Sequence, residues 1–251
     1  TLLKFFKEHG HNVLGVDPSI EAAHRASEIG VFTLQEFFNL SLAKTIKKNY
    51  GTADLITINN LLANVDDLKS FLEGIGSLLG QEGVLVIESS YLVDMIQHMV
   101  FDFIYHEHLT SFSVRPMQAI FQRVGLELVA VERVSTKGGS LRYFVQRLGG
   151  LLIKDGSVIK MLAFEENMGL YRKETFAAYA DKINDLKEQT KNFLAKAKSE
   201  GKSIAGFGAS ITGTTLIYHF EIGDYLDYLV DDNEMKQGLY SPGYHLPVYS
   251  S

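Results

Sequence analysis

Apolar residues along the chain recur with two different periods, and the switch between them marks out the elements. Leu2, Leu3, Phe5 and Phe6 fall on one face of a helical pattern that Gly10 ends. Residues 12–16 read as a short buried strand stopping at Asp17-Pro18-Ser19. An amphipathic helix over 20–29 follows, with Ser19 as its N-cap and Glu21 at the positive end of its dipole. A helix fits 41–50, and a buried strand over 54–58 ends at Asn59-Asn60. A helix with Asp66 and Asp67 in its first turn fits 65–79, and a strand fits 83–88. Strands and helices alternating at this spacing predict an α/β, doubly wound parallel sheet.

The rhythm then changes. A helix over 116–124 is stopped by Gly125, and strands over 127–132 and 141–147 flank a Gly138-Gly139-Ser140 turn. Too few residues separate these strands for a crossover helix, so they should pair antiparallel. A parallel sheet that closes on an antiparallel hairpin is the ending of class I methyltransferase sheets and not of dinucleotide-binding dehydrogenases. One long helical pattern spans 172–200, with Phe176, Tyr179, Ile183, Leu186 and Phe193 at helical spacing and Gly201 as its stop. A strand over 203–207, a turn at 208–210, a helix to His219 and a strand over 226–230 make a second βαβ unit, Rossmann-like in pattern. The expected division is a domain over 1–150 and another over 151–251. Both ends read as cuts, since a helix pattern runs from the first residue and a turn leads into a strand near the last.

Composition narrows the function classes. The 251 residues are 46% hydrophobic and 22% charged, enough to bury a core. A net charge of -6 without a basic run offers no footprint for nucleic acid or an anionic membrane. There are no cysteines, which removes disulfides, thiolate metal sites and a cysteine nucleophile. No apolar run approaches a membrane span and no secretory pattern opens the chain, so the expected location is cytoplasmic.

Four places carry candidate chemistry. Asp17, at a strand end before a helix, has the position from which an acidic residue accepts hydrogen bonds from ribose hydroxyls; it also suits simple capping of that helix. Asn60 ends the next strand, and ligands of open α/β sheets sit at such strand ends. Tyr105-His106-Glu107-His108 is the densest titratable cluster, set among Phe101, Phe103, Ile104, Phe112 and Phe121. Imidazole beside carboxylate in an apolar setting is one way to tune a general base. His106 and His108 also have the spacing of a metal pair, without an evident third ligand, and a solvated polar loop is the plain alternative. Gly138, Gly139 and Ser140 fit a hairpin turn or a close backbone approach to a ligand. Gly206-Phe207-Gly208-Ala209-Ser210 leads from strand to helix, the geometry that offers backbone N–H groups to a phosphate, but Ile211 stands where a dinucleotide fingerprint has its third glycine.

Taken together, these segments resemble the sugar C-methyltransferases of deoxysugar biosynthesis. The resemblance runs through 101–109, 111–113, 125–127, 131–133 and 138–142, then through 206–210, 231–233, 236–238 and Pro242-Gly243, and so covers nearly the whole chain. It implies an S-adenosylmethionine-dependent enzyme that methylates carbon on a nucleotide-linked keto-sugar, through an enolate that His108 forms by removing the proton beside the ketone. Glu107 and Tyr105 would line the same site, and Asp17 and Asn60 would hold the cofactor. Gly138, Gly139, Ser140, Gly206, Gly208 and Ser210 would meet the substrate. Relatives also carry an N-terminal cysteine-rich zinc module and a Gly-rich loop; neither is in this chain, so no metal is expected here and both domains read as truncated. The chain departs from the family where Lys137 stands in place of a frequent His, Asn64 likewise, and Thr212-Gly213 in place of Lys-Gly. These departures bear on the sugar and the methylated carbon. Other readings are a small-molecule O- or N-methyltransferase and a non-catalytic nucleotide-sugar-binding relative.

Overall fold

The computed structural model of the protein describes residues 2–251. Along the chain run α1 (Leu2–Glu8), β1 (Gly15–Val16), α2 (Ile20–Glu28), β2 (Thr33–Leu34), α3 (Leu40–Tyr50), β3 (Ala53–Asn59), α4 (Leu68–Leu78) and β4 (Leu79–Ser90). Next come α5 (Leu92–Gln97), α6 (Val114–Arg123), β5 (Leu126–Val134), β6 (Ser140–Arg147), α7 (Ser157–Asn167) and α8 (Lys173–Ser199). The chain closes with β7 (Ala205–Phe207), α9 (Ile211–Phe220), β8 (Tyr228–Val230) and β9 (Val248–Tyr249). The architecture is α/β, as the pattern predicts.

It forms two compact units. The first holds the chain up to Glu88, Arg115–Glu132 and Arg142–Val158; the second holds Ser89–Val114, Arg133–Leu141 and Ile159–Ser251. A single cut at residue 150 does not describe this division. The second unit takes two segments from the first 150 residues, and one of them carries Tyr105 to His108.

In the first unit, side-chain caps start the helices. Ser19 accepts from the Ala22 N–H, Asn39 from Leu42 and Asp67 from Ser70, each satisfying an amide the helix leaves unpaired. β1 pairs parallel with β2 and β3 pairs parallel with β4, in separate sheets of order β1-β2 and β3-β4-β6-β5. β5 and β6 are neighbours joined by residues 135–139, a link too short for a crossover, so this end of the sheet is antiparallel. Ala43, Ile46 and Leu78 form a core against which Val16, Leu34, Ala53 and Ile56 pack, so strands of both sheets rest on the same helices. The two sheets are nonetheless not hydrogen-bonded to each other, so Asp17 follows a strand of one and Asn60 a strand of the other.

In the second unit, β7, β8 and β9 pair parallel in that order. Its core gathers Phe101, Ile183, Leu194, Ile217, Phe220, Ile222, Leu229 and Val248, drawn from α8, α9, the strands and two loops. Burial of each large side chain contributes about 1.5–3 kcal/mol. Phe101 belongs to this core, its ring stacked on Phe220 at 5.1 Å between centroids. Among the described residues, no helix is long and apolar enough to cross a membrane.

Three elements lie outside the periodicity-based expectation. β2 has two residues and α5 has six, too short for a period to register, while α7 lies between residue 150 and the long helix, where the sequence reading places no element.

Candidate active site

Tyr105 and His108 are the first and last residues of a tight turn closed by the His108 N–H donating to the Tyr105 carbonyl at 2.9 Å. A turn brings residues i and i+3 together, and here it stacks the two rings with centroids 4.3 Å apart. His108 Nδ1 lies 3.0 Å from the Phe103 carbonyl oxygen and Nε2 lies 3.0 Å from the Tyr105 hydroxyl. A carbonyl only accepts, so Nδ1 carries the ring proton and donates to Phe103. Nε2 is then the lone-pair nitrogen and accepts from the Tyr105 O–H. Burial holds the His108 pKa below 6.5; the Phe103 carbonyl opposes this, Lys137 adds to it, and Glu107 weakly opposes it. Burial, helped by Glu107, raises the Tyr105 phenol, so it stays protonated as a donor.

The same turn sends its two middle residues outward. Glu107 and His106 are exposed and face one another at 3.9 Å. Glu107 therefore acts on His108 through its field and not through a hydrogen bond. Among the described residues, no three His, Asp or Glu side chains converge as a metal site.

Tyr105 and His106 line a cavity of about 600 Å³ whose opposite wall is α9. Ile211, Thr214, Thr215 and Tyr218 present an i, i+3, i+4, i+7 stripe to it, while Ile217 and Phe220 of the same helix go to the core. Ser210 lines the cavity too, and its Oγ caps α9 by accepting from the Gly213 N–H at 3.0 Å. Lys236 and Tyr240 complete this wall.

The turn before α9 is committed internally. Asp231, at the end of β8, accepts the Ala209 N–H at 2.8 Å and the Lys236 ammonium at 3.0 Å. The Asn233 N–H, first, and Lys236 hold its carboxyl below the ordinary range. A carboxylate already seated on that loop amide opposes a pyrophosphate there, which agrees with the missing third glycine. Gly206 and Gly208 do not line the cavity. A Cβ on Gly206 would lie 2.6 Å from Leu229, so strand packing accounts for that glycine. Gly208 makes the exit turn with φ at 98°.

Gly138 and Gly139 line a separate hollow with Asp94, His98 and Arg133. The Asp94 carboxyl group sits where a Gly139 side chain would be, and Arg133 grips that carboxylate through Nε, 3.1 Å from both oxygens. Ser140 is buried and donates to the Thr136 carbonyl at 3.0 Å. The Gly-Gly-Ser segment is thus a folded turn with its own structural supports.

In the first unit, Asp17 Oδ1 accepts the Ser19 N–H at 2.9 Å, the helix-start role that sequence left as its alternative, and Oδ2 remains for another donor. Asn60 follows β3 with φ at 53°, its N–H bonded to the Glu88 carbonyl. Asn60 Oδ1 is buried and has no hydrogen-bond partner. An orphaned buried acceptor costs about 1–3 kcal/mol and fits a ligand donor at that strand end. Tyr218, Tyr240 and Lys236 line the cavity but are not among the site residues expected from sequence; the helical stripe from Ile211 to Tyr218 is the readable signal for the first.

Comparison with known proteins gives the family. Residues 1–131 match the methyltransferase domain family, and residues 135–251 match the C-methyltransferase C-terminal domain. C-methyltransferase NovU of Streptomyces niveus is 29% identical over 249 residues, 99% of this chain. The chain spans 59% of the length of that relative. Among solved structures, an S-adenosylmethionine-dependent methyltransferase from Anabaena variabilis aligns with a TM-score of 0.47 and 14% identity, covering 59% of this chain and 72% of its own. The 1,6-didemethyltoxoflavin-N1-methyltransferase of Burkholderia thailandensis aligns at 0.41 and 18%, covering 58% and 65%. With more than half its length matched by the first of these domains, the chain belongs to the methyltransferase domain family.

Proposed function

We propose that the whole protein is an S-adenosylmethionine-dependent C-methyltransferase of a nucleotide-linked keto-deoxysugar, with His108 as the base that generates an enolate. The observation that carries this reading is the Tyr105–His108 pair. Nδ1 is tied to the Phe103 carbonyl, so the ring is fixed and its lone pair lies on the Tyr105 hydroxyl, which belongs to a side chain lining the cavity of α9.

A sugar C–H next to a ketone is removable because the electron pair left on carbon delocalises onto the ketone oxygen. His108 Nε2 receives a proton as that bond breaks. Tyr105 lines the cavity, His108 does not, and the Tyr105 hydroxyl donates to Nε2; that hydroxyl would pass its own proton to Nε2 and take the one leaving the sugar carbon. Stacking on Tyr105 and Phe103 keeps the ring in place, and a depressed pKa keeps it neutral at physiological pH. Bound S-adenosylmethionine supplies an electrophilic methyl group for the enolate carbon. Asp17, through Oδ2, and Asn60, through Oδ1, are the residues of this chain that would hold its nucleoside end. Ser210, Lys236 and the tyrosines of the α9 wall would hold the nucleotide part of the substrate. The Gly138–Ser140 turn would shape the neighbouring wall by its fold.

The test is exchange of the sugar α-proton into heavy water by the whole protein, without methyl transfer. His108→Asn should lower the exchange rate by roughly a hundredfold or more, the usual worth of a general base. Exchange at the wild-type rate would remove His108 from that role. A reading as an O- or N-methyltransferase needs no exchange at all.

A further inference from the structure

Within the second unit, the segment that carries Tyr105 and His108 begins and ends at one neck. Tyr91 and Phe112 form a parallel bridge there, and the Leu92 N–H donates to the Phe112 carbonyl at 2.9 Å. Between the two sides of this neck sits Glu165 of α7, fully buried. Its Oε1 accepts the Tyr91 hydroxyl at 3.0 Å and the Val114 N–H at 2.6 Å, and its Oε2 accepts the Tyr171 hydroxyl. The Tyr171 hydroxyl in turn lies 3.4 Å from Ser113 Oγ. One carboxylate therefore holds residues on both sides of the departing segment, and it also satisfies a first-turn amide of α6 that the helix leaves unpaired.

Within the segment, α5 is held by Arg133 on Asp94 and by buried Val93 and Met95. No residue from 102 to 111 is buried. That stretch is anchored by Phe101 in the core on one side and by the neck on the other. Burying an acidic side chain is costly unless donors surround it. A neutral apolar residue would fill the space, but only a group with two accepting oxygens serves all three donors. The Arg133 guanidinium lies over the Tyr91 and Phe164 rings at 5.9 and 5.5 Å, beside the same neck.

We infer that Glu165 is a positioning residue for the reaction: by clamping Tyr91 to Val114 it sets where Tyr105 and His108 stand. This rests on the reading of His108 as the base.

Three variants test it, Glu165→Ala, Glu165→Gln and Tyr91→Phe, with His108→Asn as reference. The readouts are kcat and KM for α-proton exchange in the whole protein, the His108 ring NMR signals, and amide hydrogen exchange. Glu165→Ala should lower kcat roughly tenfold to a hundredfold with KM within about twofold, the cost of a displaced catalytic group. It should shift the His108 ring signals and remove amide protection from residues 102–113 while α8 keeps its own. Glu165→Gln keeps an oxygen for Tyr91 and Val114 and should retain the rate to within about threefold, one hydrogen bond being altered. If Glu165→Ala does not fold, Tyr91→Phe decides: kcat reduced about threefold or more at unchanged KM supports the clamp, and an unchanged rate overturns it. A Glu165→Ala protein with wild-type exchange and unmoved His108 signals also overturns it. If His108→Asn keeps its exchange while Glu165→Ala moves the ring signals, the clamp stands and the base assignment falls.

Discussion

At the residue scale, the account turns on which His108 nitrogen is free and when it is neutral. The folded pKa lies below the ordinary 6.5, chiefly from burial. A base works deprotonated, so α-proton exchange should be flat at neutral pH and fall as pH drops through that lowered pKa. Lys137 is one of the depressing causes and Glu107 an opposing one. Lys137→Ala should therefore move the acid limb of the pH–rate profile to higher pH, and Glu107→Gln should move it lower. Both displacements should shrink at high salt, since Lys137 and Glu107 are exposed. Coincident profiles for the three proteins would contradict the assignment. Asp17→Ala should weaken S-adenosylmethionine binding, measured by calorimetry on the whole protein, by roughly tenfold, as expected for losing a charge-assisted bond. Wild-type affinity would move the nucleoside end elsewhere. The density of Tyr105 to His108 was legible from sequence. Its geometry was not, because a tight turn turns neighbours to opposite sides: Tyr105 and His108 stack, while Glu107, expected in the same site, faces His106 in solvent.

At the element scale, glycines and helix stripes carry the most information. Gly139 has φ at 130° and its missing side chain is replaced by the Asp94 carboxyl group. Gly139→Ala combines backbone strain with overpacking and should destabilise the protein by about 2–4 kcal/mol. A thermal melt within about half a kcal/mol of wild type, the usual effect of a surface substitution, would show that the turn yields easily. The hairpin and its Gly-Gly turn were legible from strand spacing. The reason for the second glycine was not, since Asp94 reaches it from a six-residue helix that no periodicity reveals. On α9 the sequence pattern gives a helix to His219 and does not say which face it buries. Only its partition, with Ile211, Thr214, Thr215 and Tyr218 toward the cavity and Ile217 and Phe220 toward the core, separates a site wall from packing.

At the scale of the whole molecule, the alternation of strands and helices was enough to read the α/β class and the antiparallel sheet ending. The partition into units was not readable in the same way. Residues 89–114 and 133–141 join the unit built around α8 and α9, although both precede the boundary expected near residue 150. Sequence patterns register the order of elements, whereas units form from contacts between segments far apart in the chain. That partition matters for function, because it puts Tyr105 and Ser210 on one cavity.

The measurement that most directly tests the central claim is where the methyl group goes. The full-length protein would be given a nucleoside diphosphate keto-deoxysugar and S-adenosylmethionine labelled with carbon-13 in its methyl group, and the product examined by NMR. The expected product carries the labelled methyl on the ring carbon beside the ketone, seen by correlation to sugar carbons, and His108→Asn should give no such product. A label found on oxygen or nitrogen, or on carbon at an undiminished rate in the His108→Asn protein, would contradict it.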